Sequence, residues 1–329
     1  MDNKPILISG IPRSGSTWLA KVLSNSPDSL YIHEPDNEKH YLKAFFLKEK
    51  LHRYPYLKKS QRSDLYYRLW ESILTEDFNN IANSSKVFQT MQSVNPFFIE
   101  REIGKKCNLI LDEFFSHTDV ASRKKVMNVF AQPNVNNVKR KKTLIVKSVH
   151  NLLALDWISN NFDCKIIVIV RHPANVASSY LKLRMPDSIR NLYSQKILVE
   201  DYLAPFLGHI KEAQGILAHI SLQIGAFYYV LEQQLKKNDQ WILIKHEDLC
   251  YSPESQFKIL FDKLDLEWNE NVQRYIRQSN KQGEGFDTKR VAKKQINKYK
   301  NLLSDDMIEE IKNYYSVFNN SLYKKFYSI

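Results

Sequence analysis

The chain has 329 residues, of which 43% are hydrophobic and 12% aromatic, which allows a large buried core and excludes wholesale disorder. Its 48 Lys and Arg against 36 Asp and Glu give a net charge of 48 − 36 = +12, which favours anionic ligands, acidic glycans, nucleic acid or an anionic membrane surface without choosing among them. No apolar run approaches the about 18 to 20 residues of a membrane span, and the N-terminus lacks the apolar region of a signal peptide, so we expect a cytoplasmic protein.

Short β-branched apolar runs alternate with helical patterns along much of the chain. The runs predict buried strands of a parallel sheet, at Ile6–Ser9, more weakly at Ser29–His33, and at Leu144–Val146, Lys165–Val170 and Trp241–Lys245. Helical spacing predicts helices over Ser16–Ser24 and Asn151–Asn161, from Pro173 onwards, and over about Ile210–Lys236. This alternation predicts a three-layer α/β fold, in which helices flank a central, mostly parallel sheet.

Residues 36–142 differ from the rest of the chain because they are helix-rich, aromatic and charged and contain no convincing strand. We interpret them as a helical insertion that forms part of an acceptor cleft, within a single domain spanning residues 1–329. The segment Tyr41–Tyr56 mixes aromatic and basic residues and could lie on a membrane surface, although we favour packing of its apolar face on the body of the protein.

The stretch after the first strand has the spacing of a phosphate-binding P-loop. Residues 10–17 read Gly-Ile-Pro-Arg-Ser-Gly-Ser-Thr. Backbone N–H groups at the start of a helix can cradle a phosphate there, and Arg13 supplies a forked, permanent cation. Ser16 occupies the position of the lysine that reaches the β- and γ-phosphates in nucleotidases. The loop therefore predicts a phosphorylated nucleotide other than a nucleoside triphosphate.

A second candidate anion site follows the strand Lys165–Val170. Arg171 stands at the end of this strand, and Ser179 lies eight residues later in the next helix. Because open α/β sheets bind ligands beyond the carboxyl ends of their strands, these two side chains could hold a second phosphate. The alternative is that Arg171 pairs with a carboxylate.

Together these stretches resemble the sulfotransferase superfamily, especially its carbohydrate, tyrosyl and bacterial members. Pro12–Trp18 is similar to the family's 5′-phosphosulfate loop, and Arg171 with Ser179 is similar to its 3′-phosphate motif. Lys147-Ser148 is similar to its strand lysine motif, and His246–Leu249 to its strand-end motif, with His246 in place of tyrosine. The resemblance implies the donor 3′-phosphoadenosine-5′-phosphosulfate (PAPS), bound without a metal by Arg13, Ser14, Gly15, Ser16, Thr17, Trp18, Arg171 and Ser179.

The resemblance also implies a general base for the acceptor hydroxyl. In relatives that sulfate carbohydrates or tyrosine, a glutamate near the second strand is the proposed base, and Glu34-Pro35 follows that strand here. Glutamate has an unperturbed pKa near ~4.3, and modest burial would make it a better base. The alternatives are a structural Glu34 and catalysis by His150, which stands one residue beyond the histidine position of cytosolic small-molecule sulfotransferases. Lys147 could steady the transferring sulfonate or the bridging oxygen, or it could form a strand-end ion pair.

Residues 279–300 are polar and basic and predict a mobile loop, followed by a helix over Asp305–Phe318 with Ser304 as its N-cap. In this family a loop near the C-terminus often closes on the donor. The local candidates for that role are Lys281, Gly283, Lys289 and Arg290. We favour a solvated basic loop over this role.

The function predicted from the sequence is transfer of a sulfonate group from PAPS to a small-molecule or glycan hydroxyl, a carbohydrate or other bulky alcohol being favoured. A P-loop kinase or nucleotidase would differ by magnesium dependence and ATP hydrolysis. A non-catalytic anion-binding protein would differ by salt-sensitive nucleic-acid binding without transfer. We expect no specific nucleic acid and no metal, since three scattered cysteines form no ligand cluster; oligomeric state and peripheral membrane contact stay open.

Overall fold

A computed structural model describes residues 4–27, 29–48, 51–74, 143–283 and 289–327. Five strands occur in these residues and form one parallel sheet in the order β2-β3-β1-β4-β5. They are β1 (Ile6–Ser9), β2 (Ser29–His33), β3 (Thr143–Ser148), β4 (Lys165–Val170) and β5 (Ile242–Lys245). The predicted parallel α/β fold is confirmed.

Helices connect the strands. In chain order, the α-helices of the described residues are α1 (Ser16–Leu23), α2 (Leu42–Lys48), α3 (Asp64–Leu74), α4 (Leu155–Asn161), α5 (Pro173–Lys182), α6 (Ile189–Tyr193), α7 (Lys196–Leu198), α8 (Leu207–Glu212), α9 (Ile216–Leu235), α10 (His246–Tyr251), α11 (Pro253–Leu264), α12 (Glu270–Ser279), α13 (Asp305–Ser316) and α14 (Lys324–Tyr327). Short 3₁₀ turns cover Leu152–Ala154, Ala204–Phe206, Lys293–Gln295 and Lys298–Asn301, and a π-turn covers Val199–Leu203.

The chain folds into two compact units. The first contains residues 1–33, 54–60 and 141–329, and the second contains residues 34–53 and 61–140. The whole sheet belongs to the first unit. The single domain predicted over residues 1–329 stays a prediction.

The central strands are buried on both faces, as their unbroken apolar sequences require. β1 is fully buried, and on one side of the sheet α1 and α11 cover it through Leu19, Leu23, Phe257 and Phe261. On the edge strand β5 burial alternates, and Leu243 is 40% exposed. Helix α9 packs against α5 and α13. This packing fixes the carboxyl ends of the strands, where the predicted site residues lie.

Several predicted elements differ in the structure. The helix predicted over Asn151–Asn161 begins as the 3₁₀ turn Leu152–Ala154 and is α-helical over Leu155–Asn161. The helix predicted over about Ile210–Lys236 is wrong as one element: α8 ends at Glu212 and α9 begins after Gly215, whose φ of 86° lies outside the helical range. The described part of the loop predicted over 279–300 contains the 3₁₀ turn Lys293–Gln295 and most of the turn Lys298–Asn301, and residues 284–288 lie outside the described residues. The C-terminal helix is confirmed, with the Ser304 hydroxyl accepting a hydrogen bond from the Met307 N–H at 3.3 Å.

The described part of the predicted insertion, residues 36–48 and 51–74, contains α2 and α3 and no strand; residues 75–142 lie outside the described residues. Within the second unit α2 packs against α3. The buried Lys48 ammonium donates to Glu38 Oε2 at 2.7 Å and to the Arg53 carbonyl at 3.0 Å. Ala44, Leu47 and Tyr54 of this segment are buried, and the packing of its apolar face on the body of the protein stays a prediction. Among the described residues, no helix is long and apolar enough to cross a membrane.

Candidate active site

The loop from β1 to α1 depends on two glycines. A Cβ on Gly10 would lie 2.5 Å from the Ile169 carbonyl oxygen of β4, so only glycine fits there. Gly15 has a φ of 94°, a left-handed conformation that glycine adopts at little cost. Its carbonyl accepts hydrogen bonds from the Trp18 and Leu19 N–H groups at 3.1 and 3.2 Å, which begins α1. The first N–H groups of α1 are therefore available for an anion.

Arg13 joins the loop to the second predicted motif. Its Nε donates to the Ser179 hydroxyl at 2.9 Å, and its carbonyl accepts from Arg171 Nη1 at 3.1 Å. Arg13 has a φ of 72°, which costs a non-glycine residue about 1–2 kcal/mol. The structure thus brings together the loop, Arg171 and Ser179, as the sequence predicted.

Arg171 is buried and only partly satisfied. Its backbone is held by Tyr228, whose hydroxyl accepts from the Arg171 N–H at 2.9 Å and donates to the Arg171 carbonyl at 2.7 Å. Within the described part of the chain, Arg171 Nε and the buried Ser14 hydroxyl have no hydrogen-bond partner. Burial lowers the pKa of Arg171, and the Glu247 carboxylate opposes this shift. Such orphaned donors fit an anionic ligand.

Further cations converge on this place from the C-terminal part of the chain. Burial lowers the pKa of Arg13, and Arg171 and Arg290 lower it further. Burial also lowers the pKa of Lys298, with further lowering from Arg290, Lys182, Arg171 and Arg13. These repulsions would be offset by a bound anion. We call Arg13, Arg171, Lys182, Arg290 and Lys298 the cation cluster.

Lys182 and Lys298 are not predicted as site residues from the sequence. Lys298 lies among other lysines, and Lys182 is a single lysine in a helix, so each is typical of an ordinary solvated charge. Arg290, a candidate for closing on the donor for which the sequence favours a solvated loop, lies in the cation cluster. Lys281 is exposed, and Gly283 lies so close to Lys289 that a Cβ would be 2.5 Å from the Lys289 carbonyl oxygen.

Asn175 of α5 holds the segment that carries Lys298. Its side-chain amide donates to the Ile296 carbonyl at 2.7 Å, and its amide oxygen accepts from the Tyr299 N–H at 3.1 Å. The Tyr299 ring stacks on His172 with 4.7 Å between centroids. These contacts explain why the predicted basic loop has local structure here.

The end of β5 meets both anion motifs. The buried His246 ring lies against Gly15, in the space that a side chain at position 15 would need. The Glu247 carboxylate accepts from the His172 N–H at 2.9 Å and from the Tyr323 hydroxyl at 2.7 Å. The strand-end motif His246–Leu249 thus supports the loop and the residue after Arg171.

A sequence profile of the sulfotransferase family matches residues 5–270. The chain belongs to the sulfotransferase family. This match includes the P-loop, the strand-end Arg171 and the His246 motif, and it confirms the resemblance. No curated protein sequence matches the chain significantly.

Several solved sulfotransferases are similar to this one. A sulfotransferase domain from the curacin biosynthetic pathway is 15% identical, with a TM-score of 0.47, 97% of this chain covered and 98% of that chain. A mouse sulfotransferase complexed with PAP is 13% identical, with a TM-score of 0.43 and coverage of 98% and 86%. A sulfotransferase from Mycobacterium tuberculosis is 13% identical, with a TM-score of 0.40 and coverage of 96% and 77%.

β3 flanks β1 on the side opposite β4, and Lys147 lies at the carboxyl end of β3. Lys147 is buried, with Ile8 of β1 and His33 of β2 as its register partners. The next residue, Ser148, accepts a hydrogen bond from the His150 N–H at 3.0 Å. The His150 ring is buried 5.5 Å from the Tyr54 ring, in the first unit. The roles predicted for Lys147 and His150 stay predictions.

Glu34 of the sulfotransferase follows β2 directly and begins the second unit. It is half-buried and has a φ of 46°. Its carboxylate accepts from the Asn37 side chain at 3.2 Å, and its carbonyl accepts from the Asn37 N–H at 3.0 Å. Burial raises the pKa of Tyr41, and Glu34 and Asp36 raise it further. Glu34 thus lies in a turn that also contains Asp36, and its side chain is partly removed from solvent.

No group of three or more His, Cys, Asp or Glu side chains that could hold a metal occurs in the described ranges. The predicted metal-free site stays a prediction.

Proposed function

We propose that this sulfotransferase uses PAPS as its donor and sulfates a hydroxyl of a carbohydrate or another bulky alcohol. The observation that carries the proposal is the hydrogen bond from Arg13 to Ser179, with Arg171 bonded to the same loop. PAPS carries a 5′-phosphosulfate and a separate 3′-phosphate, so it needs two adjacent anion sites. The loop and the end of β4 supply two such sites.

In this proposal the 5′-phosphosulfate lies on the backbone N–H groups of the loop at the start of α1, with Arg13 and Ser14 beside it. The 3′-phosphate lies between Arg171 and Ser179. Arg290 and Lys298 add positive charge from the C-terminal segment, and the bound phosphates would offset the mutual repulsion within the cation cluster. The buried, orphaned Arg171 Nε supports a ligand at this position.

The transfer itself forms a bond between the acceptor oxygen and sulfur and breaks the bond between sulfur and the oxygen of the 5′-phosphate. The acceptor proton passes to Glu34, and negative charge develops on the leaving phosphate. Arg13 and the loop N–H groups stabilise that charge. Lys147 steadies the sulfonate. The role of Glu34 as base rests on its place after β2 and on the Glu34-Pro35 pair.

The test is a transfer assay with sulfur-radiolabelled PAPS, a panel of sugars, glycans and phenols, and a chelator in place of magnesium. We expect label in at least one hydroxyl acceptor. Glu34→Gln should lower kcat by about 10²–10⁴-fold and leave donor affinity unchanged. His150→Asn is the comparison for the alternative base. A phosphoryl transfer that requires magnesium and ATP would overturn the proposal. The proposal would also be overturned if no acceptor becomes labelled and the protein does not bind PAPS.

A further inference from the structure

The imidazole of His246 fills the space beside the Gly15 Cα. A Cβ built on Gly15 would overlap the His246 Cδ2 atom and would lie 2.8 Å from Nε2 and 3.2 Å from Cγ. The nearest neighbour of this loop glycine is therefore a ring contributed by the end of β5, which is distant in sequence. No other side chain is as near to this point of Gly15 in the described chain.

The ring of His246 is itself held in place. It is 5% exposed, and the Trp18 ring packs edge-on against it with 6.1 Å between centroids. The Cys250 sulfur lies 3.6 Å from both ring nitrogens. Trp18 is fixed in turn, because its Nε1 donates to the Ser279 hydroxyl at 2.9 Å. A ring packed in this way cannot move aside without disturbing α1, α10 or α12.

The contact acts through shape and not through charge. Burial holds the pKa of His246 well below its ordinary value, and the nearby Arg171 cation lowers it further. The imidazole is therefore neutral at neutral pH and adds no cation to the anion site. What it does supply is a rigid surface against a glycine in the left-handed region.

We propose that His246 is a positioning residue for the donor: its ring holds Gly15 in the left-handed conformation that aims the first N–H groups of α1 at the 5′-phosphate. This inference rests on the proposed function, because it names the support of the same donor site. Removing the ring would let the loop relax and weaken donor binding. Adding a Cβ at position 15 would push the loop and the ring apart.

The proposal makes a prediction about a pair of substitutions. His246→Ala should weaken binding of PAP, the desulfated donor 3′-phosphoadenosine-5′-phosphate, by about tenfold. Gly15→Ala should weaken it by about 100-fold, because alanine resists this φ and collides with the ring. In the double variant the collision is gone. The double variant should therefore bind PAP about tenfold more tightly than Gly15→Ala alone, which reverses the sign of the His246→Ala effect.

The experiment measures PAP affinity by calorimetry and Tm for the full chain and these three variants. His246→Phe keeps a ring without nitrogens and should retain PAP affinity within about threefold, which guards against loss through misfolding. His209→Ala, at an exposed histidine, is the matched control and should bind like wild type. In turnover, His246→Ala should raise KM for PAPS and leave the acceptor KM unchanged.

The outcomes separate this inference from the function on which it rests. If wild type fails to bind PAP, both are overturned. If wild type binds PAP and His246→Ala binds equally well, the positioning role alone is overturned. The role is also overturned if the double variant recovers Tm but binds PAP no better than Gly15→Ala, because His246 would then be a packing residue without influence on the donor.

Discussion

Arg13 combines two features that are unusual in one residue. It adopts a left-handed φ of 72°, and its side chain bridges to the hydroxyl of Ser179 on α5. Backbone strain persists only where the surroundings hold it, and here the Arg171 guanidinium bonds to the Arg13 carbonyl. The strained loop and the strand-end arginine therefore stabilise one another.

Arg13→Ala should lower kcat for sulfonate transfer by about 100-fold or more, because it removes a cation from the developing charge on the leaving phosphate. Arg13→Lys should recover only part of this loss, since a lysine has no fork to reach Ser179 and the phosphate together. Steady-state kinetics with the best acceptor of the panel measures the effect. Arg190→Ala, at an exposed arginine of α6, is the control. Near-normal turnover in Arg13→Ala would contradict the assigned role.

His172 supplies a pH-dependent contribution to stability. Its ring packs between Tyr299 and Phe326, with 4.7 and 4.5 Å between centroids. Burial lowers the pKa of His172 to about 4, and Arg171 and Lys300 contribute to the shift. An unfolded histidine titrates near ~6.5. Between these two pKa values the unfolded chain binds a proton that the folded protein does not bind. The contribution of His172 to the free energy of unfolding is therefore fully present above pH ~6.5 and declines as the pH falls towards 4.

We therefore expect the free energy of unfolding to fall by about 2 kcal/mol through His172 when the pH is lowered from about 7.5 to 5. Denaturant titrations at both values measure it. His172→Phe keeps an aromatic ring and cannot titrate, so its loss of stability should be smaller than that of wild type by about this amount. Equal losses in the two proteins would show that His172 is not held neutral.

At the scale of elements, the sequence predicted the strands better than the long connections. β1 and β4 have the predicted bounds because each is an apolar, β-branched run buried in a parallel sheet. The more weakly predicted β2 also has its predicted bounds. The break between α8 and α9 was missed, since Gly215 inside a long helical pattern costs only about 1 kcal/mol and does not announce a break.

The segment 289–301 could not be predicted from its own residues. Its basic composition is typical of a solvated loop, and its structure depends on Asn175, more than a hundred positions earlier. Neither Asn175 nor Lys298 has a local signal. Only the fold brings Arg290 and Lys298 near Arg13, so the sequence predicts the donor site chiefly from the loop and β4.

Asn175→Ala should release this segment. The variant loses the bonds to the Ile296 carbonyl and the Tyr299 N–H, so we expect about 2 kcal/mol lower stability and about tenfold weaker PAP binding. Ser178→Ala is the control on the same helix, because the Ser178 hydroxyl bonds only to the Asn175 carbonyl of its own helix among the described bonds. Calorimetry and denaturation measure both effects. Unchanged PAP affinity would mean that Lys298 and Arg290 do not serve the donor.

At the scale of the whole molecule, the strand order explains why distant motifs meet. β1 lies in the middle of the sheet, with β3 and Lys147 on one side and β4 and Arg171 on the other. In a parallel sheet the chain segments that follow the strands share one edge. The strand order therefore brings the segments that follow β1, β3, β4 and β5 to one edge of the sheet, where we propose the donor site.

The proposed donor site binds two phosphates of one nucleotide. Calorimetry of PAP, 5′-AMP and ATP without magnesium, on wild type and Arg171→Ala, tests it most directly. We expect wild type to bind PAP at least about 100-fold more tightly than 5′-AMP, and Arg171→Ala to lose this preference, because a buried arginine–phosphate pair contributes about 2–5 kcal/mol. Equal binding of PAP and 5′-AMP, or a preference for ATP, would contradict the two-phosphate site.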